Sequence, residues 1–156
     1  MTPMAAQKQA GFEIRNAGKV LSVVILGRAD PSASTPFERN RLRVQILASV
    51  DGLRADFSTY LWAHELANLR TALDTLNRSL HLDPVAFSPY ERTVLLSIRH
   101  RGQGHIDIDV TLEPALQQPE DSQSSMRFSV YIDQTGLTGL VSQLSDLLNL
   151  FPVDPM

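Results

Sequence analysis

The residues best suited to chemistry in this sequence lie together in GHIDIDVTL, Gly104 to Leu112. Read as a strand, the stretch puts His105, Asp107, Asp109 and Thr111 on one face and Ile106, Ile108, Val110 and Leu112 on the other. An imidazole and two carboxylates at alternate positions could hold a metal ion or share a proton. Spacing argues against this, because alternate residues on a strand sit roughly 7 Å apart. Metal ligands must instead converge within about 2.0–2.6 Å of one ion. The neighbouring strands bring Arg99 and Arg127 to the same face, with Ser97, Ser129 and Tyr131. Arginines beside carboxylates form cross-strand ion pairs and repel a cation. The expectation is a wet sheet face serving as an interface, with Arg99, His105, Asp107, Asp109, Arg127 and Tyr131 as partner-binding residues and no metal or cofactor. The alternative is a small-molecule or metal site built on His105, Asp107 and Asp109.

Other chemistry-bearing residues are isolated. His64 stands beside Glu65 near a helix start, His81 falls at that helix's end, where the dipole favours a cation, and His100 ends a strand. Ser145 and Asp146 have no base placed by sequence. There is no H-E-x-x-H, no G-x-S-x-G and no glycine-rich phosphate loop. With no cysteine, disulfides, thiolate metal sites and cysteine nucleophiles are excluded. The chain is not expected to be an enzyme.

The elements that must position these residues follow from hydrophobic period. FEIR and KVLSVVILG are strands joined by Asn16-Ala17-Gly18, and RLRVQILASV and LRADFSTYL are strands joined by Asp51-Gly52, a strong hairpin signal. Between the pairs, RADPSASTPFERN reads as a loop with Pro31 and Pro36. Trp62, Leu66, Leu69, Leu73, Leu76 and Leu80 then recur at helical spacing, predicting a helix from Trp62 to Leu80 that Pro84 cannot continue. RTVLLSIRH, HIDIDVTL and MRFSVYID are three further strands, the first two joined through Arg101-Gly102-Gln103-Gly104, with EPALQQPEDSQSS a polar loop before the third. Leu137, Leu140, Val141, Leu144, Leu147, Leu148 and Phe151 mark a second helix, with Asp133 or Thr135 as N-cap and Pro152 as its end. Strand runs closed by single helices predict an α+β fold: one antiparallel sheet of about seven strands, with both amphipathic helices packed on one face. The whole chain, 1–156, is expected to form one domain with its core over about 10–153, and no repeat of solenoid period is present.

Charge is unevenly distributed. The net charge is −3. Residues 1–54 carry eight Lys/Arg against four Asp/Glu, whereas residues 104–156 carry only Arg127 against eight acids. A basic first third and an acidic last third can fold onto each other, or the acids can face a basic partner. Clustered Lys/Arg interleaved with aromatics is missing, so no nucleic acid is expected as partner. No apolar run reaches the roughly 18 residues of a membrane span, and the first residues lack a signal-peptide core. A cytoplasmic location with no membrane association is expected.

Four stretches carry a resemblance to a known family. DFSTYLWAHELANLRTALDTL runs an aromatic strand into a helix with Glu65-Leu66. GHIDIDVTL and MRFSVYIDQTGLTGLVSQLSDLLNLFP pair a glycine-led strand with one ending in Asp133-Gln134, then a leucine-rich helix with Gln143-Leu144 closed by Phe151-Pro152. Upstream, NRLRVQI is an asparagine-led strand. Over residues 10–153 the sequence resembles the WapI-type immunity proteins, small intracellular bacterial proteins that protect a cell from a contact-dependent or polymorphic toxin. The loop with Pro31 and Pro36 departs from that pattern in carrying serines and alanines. The resemblance implies a non-catalytic protein whose partner is a toxin domain, occluded by binding. Two further readings are an enzyme or metal protein on the same face, and a homodimer formed through an exposed sheet edge.

Overall fold

The computed structural model describes residues 9–79, 83–114 and 125–155. Within them the chain runs β1 (Gly11–Asn16), β2 (Lys19–Arg28), α1 (Pro36–Arg39), β3 (Arg41–Val50), β4 (Leu53–Trp62), α2 (Ala63–Arg78), β5 (Val85–Phe87), β6 (Val94–Gly102), β7 (His105–Leu112), β8 (Met126–Asp133) and α3 (Gln134–Leu150). Leu80 and His81, at the expected helix end, and residues 115–124 of the expected polar loop lie outside the described residues.

The expected single sheet of about seven strands does not form. There are two four-stranded antiparallel sheets, ordered β1-β2-β3-β4 and β5-β6-β7-β8. Alternation of apolar and polar residues shows which side of a strand is buried but not which strand it pairs with. Here α2 lies between β4 and β5 in the chain, and they belong to different sheets. Each half therefore repeats one plan, four strands and then a helix. The helices do not share one face of one sheet either. α2 packs on β4 and β5, α3 packs on β1, β7 and β8, and the two helices pack on each other. Each thus bridges the sheets, and one hydrophobic cluster runs through both, including Leu21, Ile46, Leu66, Leu73, Ile108 and Leu144.

Two elements are additional to the expected ones. β5 is three residues long between Pro84 and Pro89, too short to show a period. α1 occupies the end of the expected proline loop, and its start is written locally. Thr35 Oγ1 accepts the Glu38 N–H at 3.2 Å and Pro36 opens the helix, where a missing N–H costs nothing.

The hairpins form where turn chemistry requires. Ala17-Gly18, Asp51-Gly52 and Gln103-Gly104 have positive φ at both residues, the backbone of a two-residue type I′ turn. The last of these fixes β6 against β7 with Ser97 opposite Asp109 and Arg99 opposite Asp107, and so builds the polar face.

The sheets meet at the β1 and β8 edges. Lys19 Nζ donates to the Ser129 carbonyl at 3.1 Å, and Gln143 Oε1 of α3 accepts the Glu13 N–H at 2.9 Å. At the other end Asn40, fully buried, donates from Nδ2 to the Asp154 carbonyl at 2.9 Å and accepts the Asp154 N–H at 2.7 Å. Arg39 Nε adds an ion pair to Asp154 at 2.6 Å. The basic first third and the acidic last third are joined at this point.

Candidate partner-binding surface

All six residues expected at the interface sit on neighbouring rows across β6, β7 and β8. Arg99, Asp107 and Tyr131 lie opposite one another in one row, Ser97, Asp109 and Ser129 in the next, and Arg127 stands opposite Thr111 one row further. His105 lies at the other end, opposite Asp133. The register brings the first two rows into one polar network. Asp107 Oδ2 lies 2.9 Å from Arg101 Nε and 3.7 Å from Arg99 Nε, while Arg99 Nη2 lies 3.8 Å from Asp109 Oδ2. Asp109 Oδ1 accepts the Ser129 hydroxyl at 2.6 Å, and the Arg101 guanidinium stands 5.9 Å from the Tyr131 ring centroid.

One residue departs from the expected wet face. Asp107 is only 3% exposed although its alternation points it outward, because the side chains of Arg99 and Arg101 cross over it. Long arginine stems cover surface in this way while keeping the charge in water. Among the described residues no three His, Asp or Glu side chains are gathered to hold a metal ion. Arg101 stands outside the six expected residues, because the alternation in RTVLLSIRH ends that strand at His100. β6 in fact continues to Gly102 through an irregularity between His100 and Gly102.

A second cluster was not legible as a site. Where β4 runs into α2, Trp62 stacks on Phe37 with ring centroids 5.3 Å apart, and Tyr90 meets both edge-on at 5.3 and 5.5 Å. His64 closes the group at 6.1 Å from Phe37 and from Tyr90. Phe37 is 40% and Tyr90 64% exposed, an unusual outlay of aromatic surface. Glu65 organises it. Its Oε1 accepts the Trp62 N–H at 2.9 Å, the carboxylate half of a capping box, and its Oε2 accepts the Tyr90 N–H at 2.8 Å. Burial raises the Glu65 carboxyl above the usual carboxylate range, against the opposing pull of these two N–H groups and of His64. Trp62 Nε1 and both His64 ring nitrogens are buried and meet no hydrogen-bond partner among the described residues. The local signal was the run Trp62-Ala63-His64-Glu65; Phe37 and Tyr90 come from distant parts of the chain and could not be joined to it by spacing.

The face of the second sheet and the aromatic cluster both have the make-up of association surfaces. Tyrosine, tryptophan and arginine are the side chains that most often carry interface energy. No described helix is long and apolar enough to cross a membrane. The molecule is an α+β protein with a polar sheet face held in place by its own ion pairs. The family model of the WapI-like immunity proteins matches residues 12–152, and the chain belongs to that family. No curated protein matches the sequence. Among solved structures, the plant transcriptional regulator PBF-2 aligns with a TM-score of 0.51 at 12% identity, over 94% of this chain and 84% of that one. WHY1 from Arabidopsis thaliana aligns with a TM-score of 0.47 at 16% identity, over 94% and 93%. The first is a likeness of fold alone, and the second adds nothing to it.

Proposed function

We propose that this protein is a non-catalytic immunity protein that works in the bacterial cytoplasm by binding a toxin domain and covering its substrate site. The observation that carries the reading is membership of the WapI-like immunity family over residues 12–152. The outer face of β6, β7 and β8 is the docking surface in this reading. Arg99, His105, Asp109, Arg127 and Tyr131 offer side chains to the partner, and Asp107 holds the arginines in position from beneath. A network already ordered before contact loses less side-chain freedom on binding, which favours affinity. Its mixed charge suits steering and partner choice more than raw affinity.

The test is a pull-down from the native bacterium with the tagged protein, followed by expression of the recovered toxin domain and titration against variants. Co-expression should restore growth of cells making that domain. Tyr131→Ala should speed dissociation, and Asp109→Ala should slow association with a basic domain. Recovery of no toxin domain, or a bound domain whose toxicity persists, would overturn the reading. Loss of binding confined to Phe37→Ala and Tyr90→Ala would move the interface to the aromatic cluster.

A further inference from the structure

The strand edges of the two sheets are treated unequally. The β1 and β8 edges are tied together by Asn16, whose Nδ2 donates to the Tyr131 carbonyl at 2.5 Å, and α3 covers the Glu13 N–H through Gln143. β5 is short and packs against α2. β4 is ten residues long and forms the outer edge of its sheet.

The backbone groups it turns outward can be assigned. Trp62 lies opposite Arg41, yet its N–H goes to Glu65 and not across the ladder. Antiparallel pairs alternate between bonded and non-bonded positions, so Arg54, Asp56, Ser58 and Tyr60 also turn their N–H and C=O groups away from β3. Near Tyr60 and Trp62 the edge is covered. Tyr90 shares Glu65 with Trp62, and Thr59 Oγ1 sits 2.6 Å from Thr93 Oγ1. From Leu53 to Ser58 no described residue bonds to the outward groups. Leu53 is 67% exposed, and Ala55 and Phe57 on the same side are only half-buried. An edge of this kind is a template for another strand.

Its sequence selects the strand. Outward groups must face outward groups, so an antiparallel copy of LRADF can be centred on Arg54, Ala55 or Asp56. Centring on Arg54 or on Asp56 sets like charges opposite each other, which is unfavourable. Centring on Phe57 requires Thr59 and Tyr60, the covered end. Centring on Ala55 sets Arg54 opposite Asp56 of the second copy, twice, and Leu53 opposite Phe57, twice. We propose that this protein self-associates through β4, with the two Ala55 residues on a two-fold axis and the first sheet continued across both copies.

Sedimentation velocity of the full chain over a concentration series tests this. The unaltered protein should show a concentration-dependent dimer. Arg54→Asp and Asp56→Arg each turn two attractive pairs into two repulsive ones and should weaken the dimer on the order of tenfold or more. Both residues are exposed, and circular dichroism of each variant checks that it folds. An equimolar mixture of the two variants pairs Asp with Arg at every contact and should recover the dimer. A monomer at all concentrations would overturn the proposal and leave the edge to a strand of a different protein. A dimer indifferent to the single substitutions, or a mixture that stays monomeric, would overturn it equally.

Discussion

Asn40 and Asp154, 114 positions apart, exchange two hydrogen bonds, both with the Asp154 backbone. The Asn40 carbonyl also accepts the Ala63 N–H at 2.8 Å, so one buried residue joins the start of β3, the start of α2 and the C-terminal segment. The two residues should respond differently to truncation. Asn40→Ala removes two buried partners and should cost about 2–4 kcal/mol. Asp154→Ala keeps both bonds and loses only the partly exposed pair with Arg39, at a cost under about 1 kcal/mol. Urea unfolding of the two variants separates them, and equal costs would contradict the assignment.

Thr59 and Thr93 form a buried hydroxyl pair at 2.6 Å between β4 and the segment leading into β6. Valine has a similar shape without the hydroxyl. Either single Thr→Val change leaves one hydroxyl without its partner and should cost about 1–3 kcal/mol, whereas the double change should cost less than the sum. A double-mutant cycle by chemical denaturation measures the coupling; additive costs would show that the hydroxyls do not interact.

Glu65 makes stability depend on pH. Its folded carboxyl titrates above the unfolded one, so the folded state holds more protons in the interval between. The contribution of Glu65 is therefore fully present below the unfolded value and falls as pH rises through the folded one. Subtracting the pH profile of Glu65→Gln from that of the unaltered protein should show a decline just above the usual carboxylate range. A difference that rises there would reverse the sign of the shift.

Ala17 takes a left-handed φ of 49° in the β1–β2 turn, beside Gly18 at 79°. Asn tolerates that conformation better than Ala, and Asn-Gly is favoured in type I′ turns. Ala17→Asn should raise stability by about 0.5–1 kcal/mol, read as a higher urea midpoint with unchanged slope.

The sequence showed much of this local order and little of its assembly. Asp51-Gly52 announced a hairpin because the turn residues and flanking alternation lie within a few positions. The leucines of α2 and α3 announced helices for the same reason. Asp133 as the α3 cap was equally local, with Oδ1 accepting the Gly136 N–H at 2.8 Å. Which strands share a sheet depends on pairing between distant segments, and nothing in β4 or β5 states that they part. The thin coverage of Asp107 likewise depends on where two arginine side chains fall. The polar face was found because its residues alternate along single strands. The aromatic cluster was missed because Phe37, Trp62 and Tyr90 come from three elements.

The repeated plan of four strands and a helix has a consequence for synthesis. Each helix spans both sheets, so neither half can close its own interior. The first half leaves the ribosome with α2 and the inner side of β1–β4 bare. It stays so until α3 has been made. Asp154, which completes the bonds to Asn40, is made later still. Folding of this chain thus waits on α3, and a nascent chain stalled before it would expose the surface that chaperones bind.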